Sequence, residues 1–312
     1  MRIKQTSESS PAGMSLSSTP RLSVVIVNFN TRELLRACLD SVERSEGAQE
    51  LELFVVDNAS ADDSAGMVAS EFPWAKLIRS SANRGYAYAN NLGLTRCQGK
   101  YYLLLNPDTK LPPGALRQMV DFMDAHPEAG IAGPKLVLLD GSLDLACRRS
   151  FPSPGVSFYR MLGLSKLFPR SRRFGRYNLT YLDPDEPAEV DSVVGAFMMV
   201  RAEAAEQAGF LDEAFFMYGE DLDWAFRIKA MGWKVLYNPE VVVLHHKGAS
   251  SRRHTDRTIV EFYRAMQVFY DKHYAAGSGL VPRLLILSSI WAKCAFSLAV
   301  NRLRPPEARR VS

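Results

Sequence analysis

The chain has 312 residues, of which 47% are hydrophobic, and a formal net charge of +4. This length fits one large domain or a domain with a subdomain, and so small a charge gives no reason to expect nucleic acid as a partner. Four scattered cysteines form no C-x-x-C pair, so neither a zinc site nor a disulfide framework is indicated, and a reducing compartment fits best.

Residues 1–20 are rich in Ser, Pro and Thr and lack an apolar stretch. This composition is typical of a disordered tail and not of a secretory signal. The first folded residues are therefore expected near position 21.

The next part of the chain alternates strand and helix patterns. Apolar runs predict strands at 22–27, 51–56, 76–79 and 101–105. Helices are expected after each of the first two strands, capped by Asn30 and Ser60, and another after Pro112-Pro113. This alternation predicts an α/β fold with a doubly wound, mostly parallel sheet flanked by helices.

Three polar residues follow strands of this predicted sheet: Asn28, Asp57 and Asp108. Ligands of doubly wound sheets bind beyond the carboxyl ends of the strands. Asp108 is the candidate metal ligand, because Mg²⁺ and Mn²⁺ prefer oxygen ligands and substrate phosphates. Asn106 could assist through its amide. The alternative for Asp57 and for Asn106-Pro107-Asp108 is ordinary turn chemistry.

A glycine-containing loop, Asn83-Arg84-Gly85, precedes the next helix pattern. Gly85 permits a close backbone approach, Arg84 could reach a phosphate, and Tyr86 could flank a base. The loop is neither a P-loop nor a dinucleotide-binding loop, since it lacks both glycine patterns. A simple loop before a helix is the alternative.

The second half is less regular. Residues 151–181 mix basic and aromatic side chains, and strands are predicted at 193–200, 234–237 and 241–244. Gly219 opens a helix that begins with three carboxylates, Glu220, Asp221 and Asp223. One of them could act as a general base, and the alternative is favourable charge at a helix N-terminus. An Asp223–Arg227 pair favours the structural role for Asp223.

His245 ends the last predicted strand, and an apolar segment at 284–300 follows nearer the C-terminus. A histidine in that position is a ligand candidate only if Asp108 shares its site. The apolar segment is short for a membrane span and contains Lys293, so an interfacial or packed amphipathic helix is the preferred interpretation and a true span the alternative.

Taken together, these motifs resemble the inverting family 2 glycosyltransferases with the GT-A fold, especially the rhamnosyltransferase-like branch. The resemblance spans roughly residues 22–250. It is carried by seven segments: 22–31, 55–60, 83–93, 103–109, 195–201, 209–227 and 245–250.

The resemblance implies a nucleotide-sugar donor held over the sheet, bound by Asn28, Asp57 and the Asn83-Arg84-Gly85 loop. Asn106-Pro107-Asp108 stands where the family has its D-x-D metal motif, with Asn106 in place of the first Asp, so strict dependence on Mg²⁺ or Mn²⁺ is less certain. Asp221 matches the general base, with Glu220 beside it. His245 opens an H-x-x-G-x-S pattern completed by Gly248 and Ser250, and matches a metal or diphosphate position. Gly195 and Ala196 match the segment near donor sugar and acceptor.

The expected reaction is a single inverting displacement, with dTDP-L-rhamnose as the favoured donor and UDP- or GDP-linked sugars as open alternatives. The acceptor is expected to be a surface glycan or a lipid-linked sugar. A nucleotidyltransferase is disfavoured because Asn28-Phe29-Asn30-Thr31 stands where a Gly-rich basic loop belongs. A binding protein that has lost catalysis is disfavoured by the presence of Asp108, Asp221 and His245.

The resemblance also divides the chain into a nucleotide-binding half (21–135), an acceptor and catalytic half (136–250) and a helical C-terminal segment (251–312). The basic-aromatic stretch and the apolar C-terminal segment together predict a cytoplasmic protein that lies peripherally on the inner face of the plasma membrane. The alternative for the basic-aromatic stretch is a solvated mobile loop over the active site.

Overall fold

The computed structural model describes residues 20–47, 50–247 and 255–303. The predicted tail at 1–19 lies outside these ranges, and so do Gly248 and Ser250 of the H-x-x-G-x-S pattern.

The first half consists of alternating strands and helices, as predicted. In chain order they are β1 (Leu22–Asn28), α1 (Arg32–Glu43), β2 (Leu51–Asp57), α2 (Ser64–Glu71), β3 (Lys76–Arg79), α3 (Tyr86–Leu94) and β4 (Tyr101–Leu105).

The second half is longer and more varied. It contains β5 (Thr109–Lys110), α4 (Ala115–Ala125), β6 (Ala129–Val137), α5 (Pro154–Met161), α6 (Leu164–Leu167), β7 (Ala188–Val190), β8 (Phe197–Arg201), α7 (Ala202–Ala208), α8 (Glu220–Ala230), β9 (Lys234–His245), α9 (Thr255–His273) and α10 (Leu280–Leu303).

The strands form one sheet in the order β3-β2-β1-β4-β8-β6-β9-β5, with β7 also paired to β9. Strands β3, β2, β1 and β4 are parallel, and β6 is parallel to β9. β8 runs antiparallel to both β4 and β6, so the sheet is mixed beyond β4. The α/β class with flanking helices is confirmed, and the parallel pattern holds through the first half.

The central strands are apolar along their whole length because both faces of the sheet are covered. Every residue of β1 and β4 is buried. Strands buried on both faces read as continuous hydrophobic runs, which explains why these strands were predicted with nearly correct bounds.

Helix starts differ from the predictions. Asn30 adopts a left-handed φ of 55° and Thr31 takes the cap position of α1. Ser60 does not cap α2, which begins only at Ser64, because its hydroxyl is used by Asn28 and by the Asn30 amide. Side-chain contacts between the loops that follow β1 and β2 replace both predicted helix caps, and a local sequence pattern does not show such contacts.

Strand bounds also differ in the second half. The segments 234–237 and 241–244 form one continuous strand, β9, with a shift of register against β6 between Pro134 and Lys135. The strand predicted at 193–200 begins at Phe197 instead.

Helix α8 begins after Gly219, whose φ of 82° is in the left-handed region. Asp223 in its first turn has no exposed side-chain surface and contacts two cations and a histidine: Arg227 Nε, Lys272 Nζ and His273 Nε2, each at 2.8 Å. Burial raises the pKa of Asp223, but hydrogen bonds from His273 and Lys272 outweigh it and lower that pKa to about 2. The end of α9 is thereby fastened to the first turn of α8.

Replacing Asp223 by Ala is expected to cost roughly 1.5–3 kcal/mol of unfolding free energy, because Arg227 and Lys272 lose charged hydrogen bonds to a fully buried carboxylate. Denaturant unfolding measures the loss. The matched control is Glu46→Ala, which breaks an exposed pair with Arg117 and is expected to cost less than about 1 kcal/mol. Similar losses for the two variants would contradict a structural role for the Asp223 cluster.

The two C-terminal helices form an antiparallel hairpin. Ile290 and Cys294 of α10 pack on Ile259 and Tyr263 of α9. Among the described residues, α10 is the one helix long and apolar enough to cross a membrane, and 22% of its apolar stretch is buried.

Candidate active site

The carboxyl ends of β1 and β2 form one side of the site. Asn28 is completely buried. Its Nδ2 lies 3.1 Å from Ser60 Oγ and 3.4 Å from Asp57 Oδ1, and its Oδ1 accepts a bond from Thr31. Asp57 Oδ2 accepts the Ser60 amide at 3.1 Å. Asn28 therefore helps to fix the position of the Asp57 carboxylate.

The Asn83-Arg84-Gly85 loop lies against the end of β2. Asn58 Nδ2 donates to Asn83 Oδ1 at 3.0 Å and to the Gly85 carbonyl at 3.2 Å. Arg84 is exposed, and its guanidinium stacks 3.8 Å from the centre of the Tyr88 ring. The loop is thus held against Asn58, the residue that follows Asp57, and Arg84 faces solvent.

Gly85 is required by its backbone. It has a φ of 100°, and a Cβ there would lie 2.4 Å from the Phe216 carbonyl oxygen. That carbonyl accepts the Tyr86 amide at 2.6 Å. The glycine lets the segment before α8 pack directly on the start of α3, as the sequence suggested.

Asp108 and His245 come together beyond the end of β4. Thr109 pairs with His245 across β5 and β9, and the His246 amide donates to the Asp108 carbonyl at 2.7 Å. The side chains are both buried, with His245 Nε2 3.4 Å from Asp108 Oδ1. The condition set for His245 as a ligand, proximity to Asp108, is met.

Asp144, which was not predicted from the sequence, orients this histidine. Its Oδ2 lies 2.8 Å from His245 Nδ1, and its Oδ1 accepts from Lys247 Nζ at 2.6 Å. Burial raises the pKa of Asp144, but the bonds from His245 and Lys247 hold it well below its usual range. Conversely, burial lowers the pKa of His245 while Asp108 and Asp144 raise it, to about 9.

This arrangement suits a divalent cation. A metal-binding histidine ordinarily donates its second ring nitrogen to a carboxylate, and Asp144 supplies that group. Among the described ranges, however, no three His, Cys, Asp or Glu side chains are grouped to hold a metal. Asp108 and His245 therefore fit an ion whose remaining ligands are substrate oxygens and water, as is common for Mg²⁺.

Asp221 lies in the first turn of α8 and is almost fully buried. Its Oδ2 accepts bonds from Arg149 Nη2 at 2.7 Å and from the Gly195 amide at 3.0 Å. Burial lowers the pKa of Arg149, but the charge of Asp221 outweighs it and raises that pKa above its usual range. The carboxylate of Asp221 is thus held in a fixed orientation by two donors.

Glu220 differs from its neighbour. Its side chain is buried, and Oε2 has no hydrogen-bond partner. Burial and then the charge of Asp221 raise the pKa of Glu220 to about 8. The carboxyl group of Glu220 therefore keeps its proton at neutral pH.

Protonation of Glu220 predicts a pH-dependent stability. Between about pH 4.5, where an unfolded glutamate ionises, and about pH 8, the unfolded chain gives up a proton that the folded protein keeps. The free energy of unfolding contributed by this group therefore falls as pH rises through that window. Glu220→Gln should flatten the fall in denaturant unfolding at several pH values. An unchanged slope in the variant would rule out a protonated Glu220.

Tyr86 connects the two acidic motifs. Its hydroxyl lies 2.9 Å from Asn106 Oδ1 and 3.1 Å from the Gly195 carbonyl. The backbone amide of Asn106 in turn donates to the backbone carbonyl of Ala196 at 3.0 Å. The segment before Asp108 and the Gly195–Ala196 segment beside Asp221 are thereby held together, so Tyr86 supports the site in addition to the base-flanking role suggested by the sequence.

Two residues of the site were missed from the sequence: Asp144 and Arg149. Both lie between β6 and α5, in a region with no regular pattern. Asp144 lies about a hundred positions from His245 in the sequence, and Arg149 lies about seventy positions from Asp221, so local spacing does not indicate either contact.

The fold agrees with what known proteins show. A family model described as glycosyl transferase family 2 matches residues 23–207. The chain therefore belongs to glycosyltransferase family 2, and it is an enzyme of the glycosyltransferase class.

Two curated relatives extend the likeness beyond the family model. The chain is 27% identical over 267 residues to an N-acetylglucosaminyl-diphospho-decaprenol L-rhamnosyltransferase of Mycobacterium tuberculosis, covering 82% of this chain and 86% of the relative. It is 25% identical to the low-salt glycan biosynthesis hexosyltransferase Agl10 of Haloferax volcanii, covering 80% of this chain and 72% of the relative. The chain thus falls on the rhamnosyltransferase-like side of the family.

Solved structures share the fold. The mannosyltransferase PcManGT of Pyrobaculum calidifontis, in complex with GDP-Man and Mn²⁺, matches with a TM-score of 0.56 and 20% identity over 94% of this chain and 79% of that chain. S. aureus TarS matches with a TM-score of 0.56 and 15% identity over 90% of this chain and 46% of its own. The predicted GT-A architecture is confirmed by these neighbours.

Proposed function

We propose that this enzyme transfers L-rhamnose from dTDP-L-rhamnose to a hydroxyl of a lipid-linked sugar, with inversion at the anomeric carbon. The observation that carries the proposal is the joining of two acidic centres: Asp108 with His245, and Asp221 with Arg149. Tyr86 and Gly195 link the two through hydrogen bonds, so both face one region beyond the strand ends.

The donor nucleotide is assigned to the ends of β1 and β2. Asp57, fixed by Asn28, offers a carboxylate to the base or ribose, and the exposed Arg84 offers a cation to the diphosphate. Asn83 and Gly85 hold this loop against β2 through Asn58. The nucleotide-binding half would thus be 21–135, with 136–250 supplying the acceptor and catalytic groups.

The diphosphate is assigned to Asp108 and His245, with Asn106 beside them. These two residues would hold Mg²⁺ or Mn²⁺, which neutralises the charge that develops on a leaving nucleoside diphosphate. Lys247, bonded to Asp144, adds a positive charge at the same edge.

Asp221 is assigned as the general base. The acceptor hydroxyl gives its proton to the Asp221 carboxylate as the oxygen attacks the anomeric carbon, and the bond to the diphosphate breaks. One displacement inverts the configuration. Arg149 and the Gly195 amide keep the carboxylate oriented before the proton arrives. Glu220, protonated and without a partner, is placed to donate a hydrogen bond to a sugar hydroxyl.

The rhamnose donor and the lipid-linked acceptor are supported by the name of the mycobacterial relative, which is an L-rhamnosyltransferase acting on a decaprenol-linked sugar. UDP- and GDP-linked sugars are the alternative donors, since another neighbour was solved with GDP-Man. A surface glycan is the alternative acceptor. We place the enzyme at the cytoplasmic face of the plasma membrane.

A donor screen tests the proposal. The purified protein is incubated with dTDP-rhamnose, UDP-glucose, UDP-N-acetylglucosamine or GDP-mannose, with Mg²⁺, Mn²⁺ or a chelator, and release of nucleoside diphosphate is measured. We expect dTDP release from dTDP-rhamnose, stimulated by a lipid-linked N-acetylglucosamine and reduced by the chelator. Preferential release of UDP or GDP would overturn the rhamnose assignment, and release that is independent of acceptor and metal would overturn the mechanism.

A further inference from the structure

Large apolar side chains are exposed along α10. The helix uses Ile290, Cys294 and Leu298 to pack on α9. Its other face leaves several large side chains in solvent, including Val281, Leu284, Leu285, Trp291, Phe296 and Leu303. An apolar stripe of this length is unusual on the surface of a soluble protein and marks an interaction site.

A second exposed apolar surface lies on residues 154–177, which we call the arm. It contains α5 and α6, and it exposes Phe158, Met161, Leu162, Leu167 and Phe168. The chain enters the arm beside α9, because the ring of Phe151, three residues before the arm, lies 6.5 Å from the ring of Phe269 in α9. Consistent with this placement, burial raises the pKa of the Tyr263 hydroxyl in α9 and the charge of Arg160 in the arm opposes that rise. Tyr263 also contacts Ser297 of α10 at 2.8 Å, so the arm and α10 flank the same helix.

The charge of both surfaces has a single sign. The arm carries six basic residues and no acidic one, and α10 carries Arg283, Lys293 and Arg302 with no acidic residue. Basic residues interleaved with exposed apolar ones match an anionic lipid surface. A second copy of this chain fits poorly, because it would bring like charges together.

We propose that the outer face of α10 and the arm form one docking surface for a bilayer containing anionic lipid, and that α10 lies along the bilayer without crossing it. The inference deepens the proposed function, since it explains how the site reaches a lipid-linked acceptor, but the docking itself does not depend on the reaction.

The contacts between α9 and α10 exclude a span in this arrangement. Along its length α10 bonds to α9 at four levels: Arg283–Asp271 at 3.0 Å, Trp291–Gln267 at 2.8 Å, Ser297–Tyr263 at 2.8 Å and Asn301–Asp256 at 3.3 Å. A crossing α10 would either break these bonds or draw the charged residues of α9 into the hydrocarbon, which is costly.

The docking surface leads directly to the catalytic residues. Arg160 of the arm stacks 4.2 Å from the centre of the Tyr177 ring. The Ser150 amide donates to the Tyr177 carbonyl at 2.8 Å, which fixes the end of the arm beside Arg149, the partner of Asp221. A lipid-linked sugar at the bilayer surface would therefore approach Asp221 along the arm.

Vesicle co-sedimentation tests the docking surface. The full chain is mixed with vesicles of phosphatidylcholine alone or with added phosphatidylglycerol, and the bound fraction is measured at low and high salt. We expect binding to the mixed vesicles, weakened by salt. Leu284→Glu with Phe296→Glu should reduce it by roughly tenfold or more, because two apolar side chains no longer enter the interface.

The matched controls are Leu139→Glu and Met231→Glu, which change equally exposed apolar residues elsewhere and should bind like the wild type. All variants should keep wild-type thermal unfolding and donor consumption with a water-soluble acceptor. Equal vesicle binding by the wild type, the double variant and the two controls would overturn the proposal. It would also be overturned if none of these proteins bound vesicles and the double variant lost only self-association. Donor consumption that fails in the wild type while vesicle binding persists would count against the proposed function alone.

Chemical labelling distinguishes an α10 helix that lies on the bilayer from one that crosses it. Gly279→Cys and Leu303→Cys place a thiol at each end of α10. In sealed inside-out membrane vesicles from expressing cells, both thiols should react with a membrane-impermeant maleimide before detergent is added. Reaction of one thiol only after detergent would show that α10 spans the membrane and would overturn the proposal.

Discussion

Asp221→Asn should abolish sugar transfer while leaving donor binding intact. The amide keeps the shape of the side chain but cannot take a proton from the acceptor hydroxyl, so we expect kcat to fall by roughly 10²–10⁴-fold, the range that general bases contribute. The donor Kd should change little, because Asp221 contacts Arg149 and Gly195 and not the nucleotide side of the site. Transfer kinetics and donor titration measure the two effects separately.

A matched control for Asp221→Asn is Asp140→Asn, a change to an exposed carboxylate in the turn after β6, which should leave transfer unchanged. Thermal unfolding checks that loss of the Arg149 ion pair has not unfolded the variant. Near-normal turnover in a folded Asp221→Asn protein would refute the base assignment and direct attention to Glu220.

Asp108→Asn should lower kcat/KM by roughly 10²–10³-fold, comparable to removing a group that stabilises charge in the transition state. The loss should be accompanied by weaker Mn²⁺ binding, measured by titration calorimetry in the presence of nucleoside diphosphate. Asp144→Asn should have a milder effect, about 10–100-fold on metal affinity, because it acts only by orienting His245.

Added Mn²⁺ distinguishes these two variants from a general loss of structure. Higher metal concentration should restore activity to Asp144→Asn more completely than to Asp108→Asn, which has lost a ligand. Lys135→Met, which removes an ion pair between β6 and the exposed Asp185 ahead of β7, serves as the control. Equal insensitivity of both variants to Mn²⁺ would argue that neither residue acts through a metal.

The strands of the first half could be predicted because burial on both faces leaves a continuous apolar run in the sequence. The positions of Asn28, Asp57 and Asp108 at strand ends followed from the same pattern. Their placement at one edge of the sheet followed from the rule that parallel strands end together. Local physics therefore predicted where these residues lie, whereas their binding of a nucleotide stays a prediction.

The remainder depends on contacts that are distant in sequence. Nothing near Asp144 indicates that it meets His245, and nothing near Arg149 indicates that it meets Asp221. Asn30 and Ser60 have the chemistry of helix caps, but each is engaged by a neighbouring loop. The resemblance to a family supplied the roles of Asp221 and His245, whereas the groups that tune these two residues became visible only in the folded chain.

The pairing of β5 with β9 has a consequence for how this protein tolerates change. His245 meets Asp108 because Thr109 and His245 are directly opposite each other in the ladder. Upstream, β9 carries extra residues between Asn238 and Val242, relative to β6. Since side chains alternate between the faces of a strand, removing one residue there would turn His245 away from Asp108 unless the ladder re-formed around it. The length of this irregular stretch is therefore tied to the pairing of His245 with Asp108.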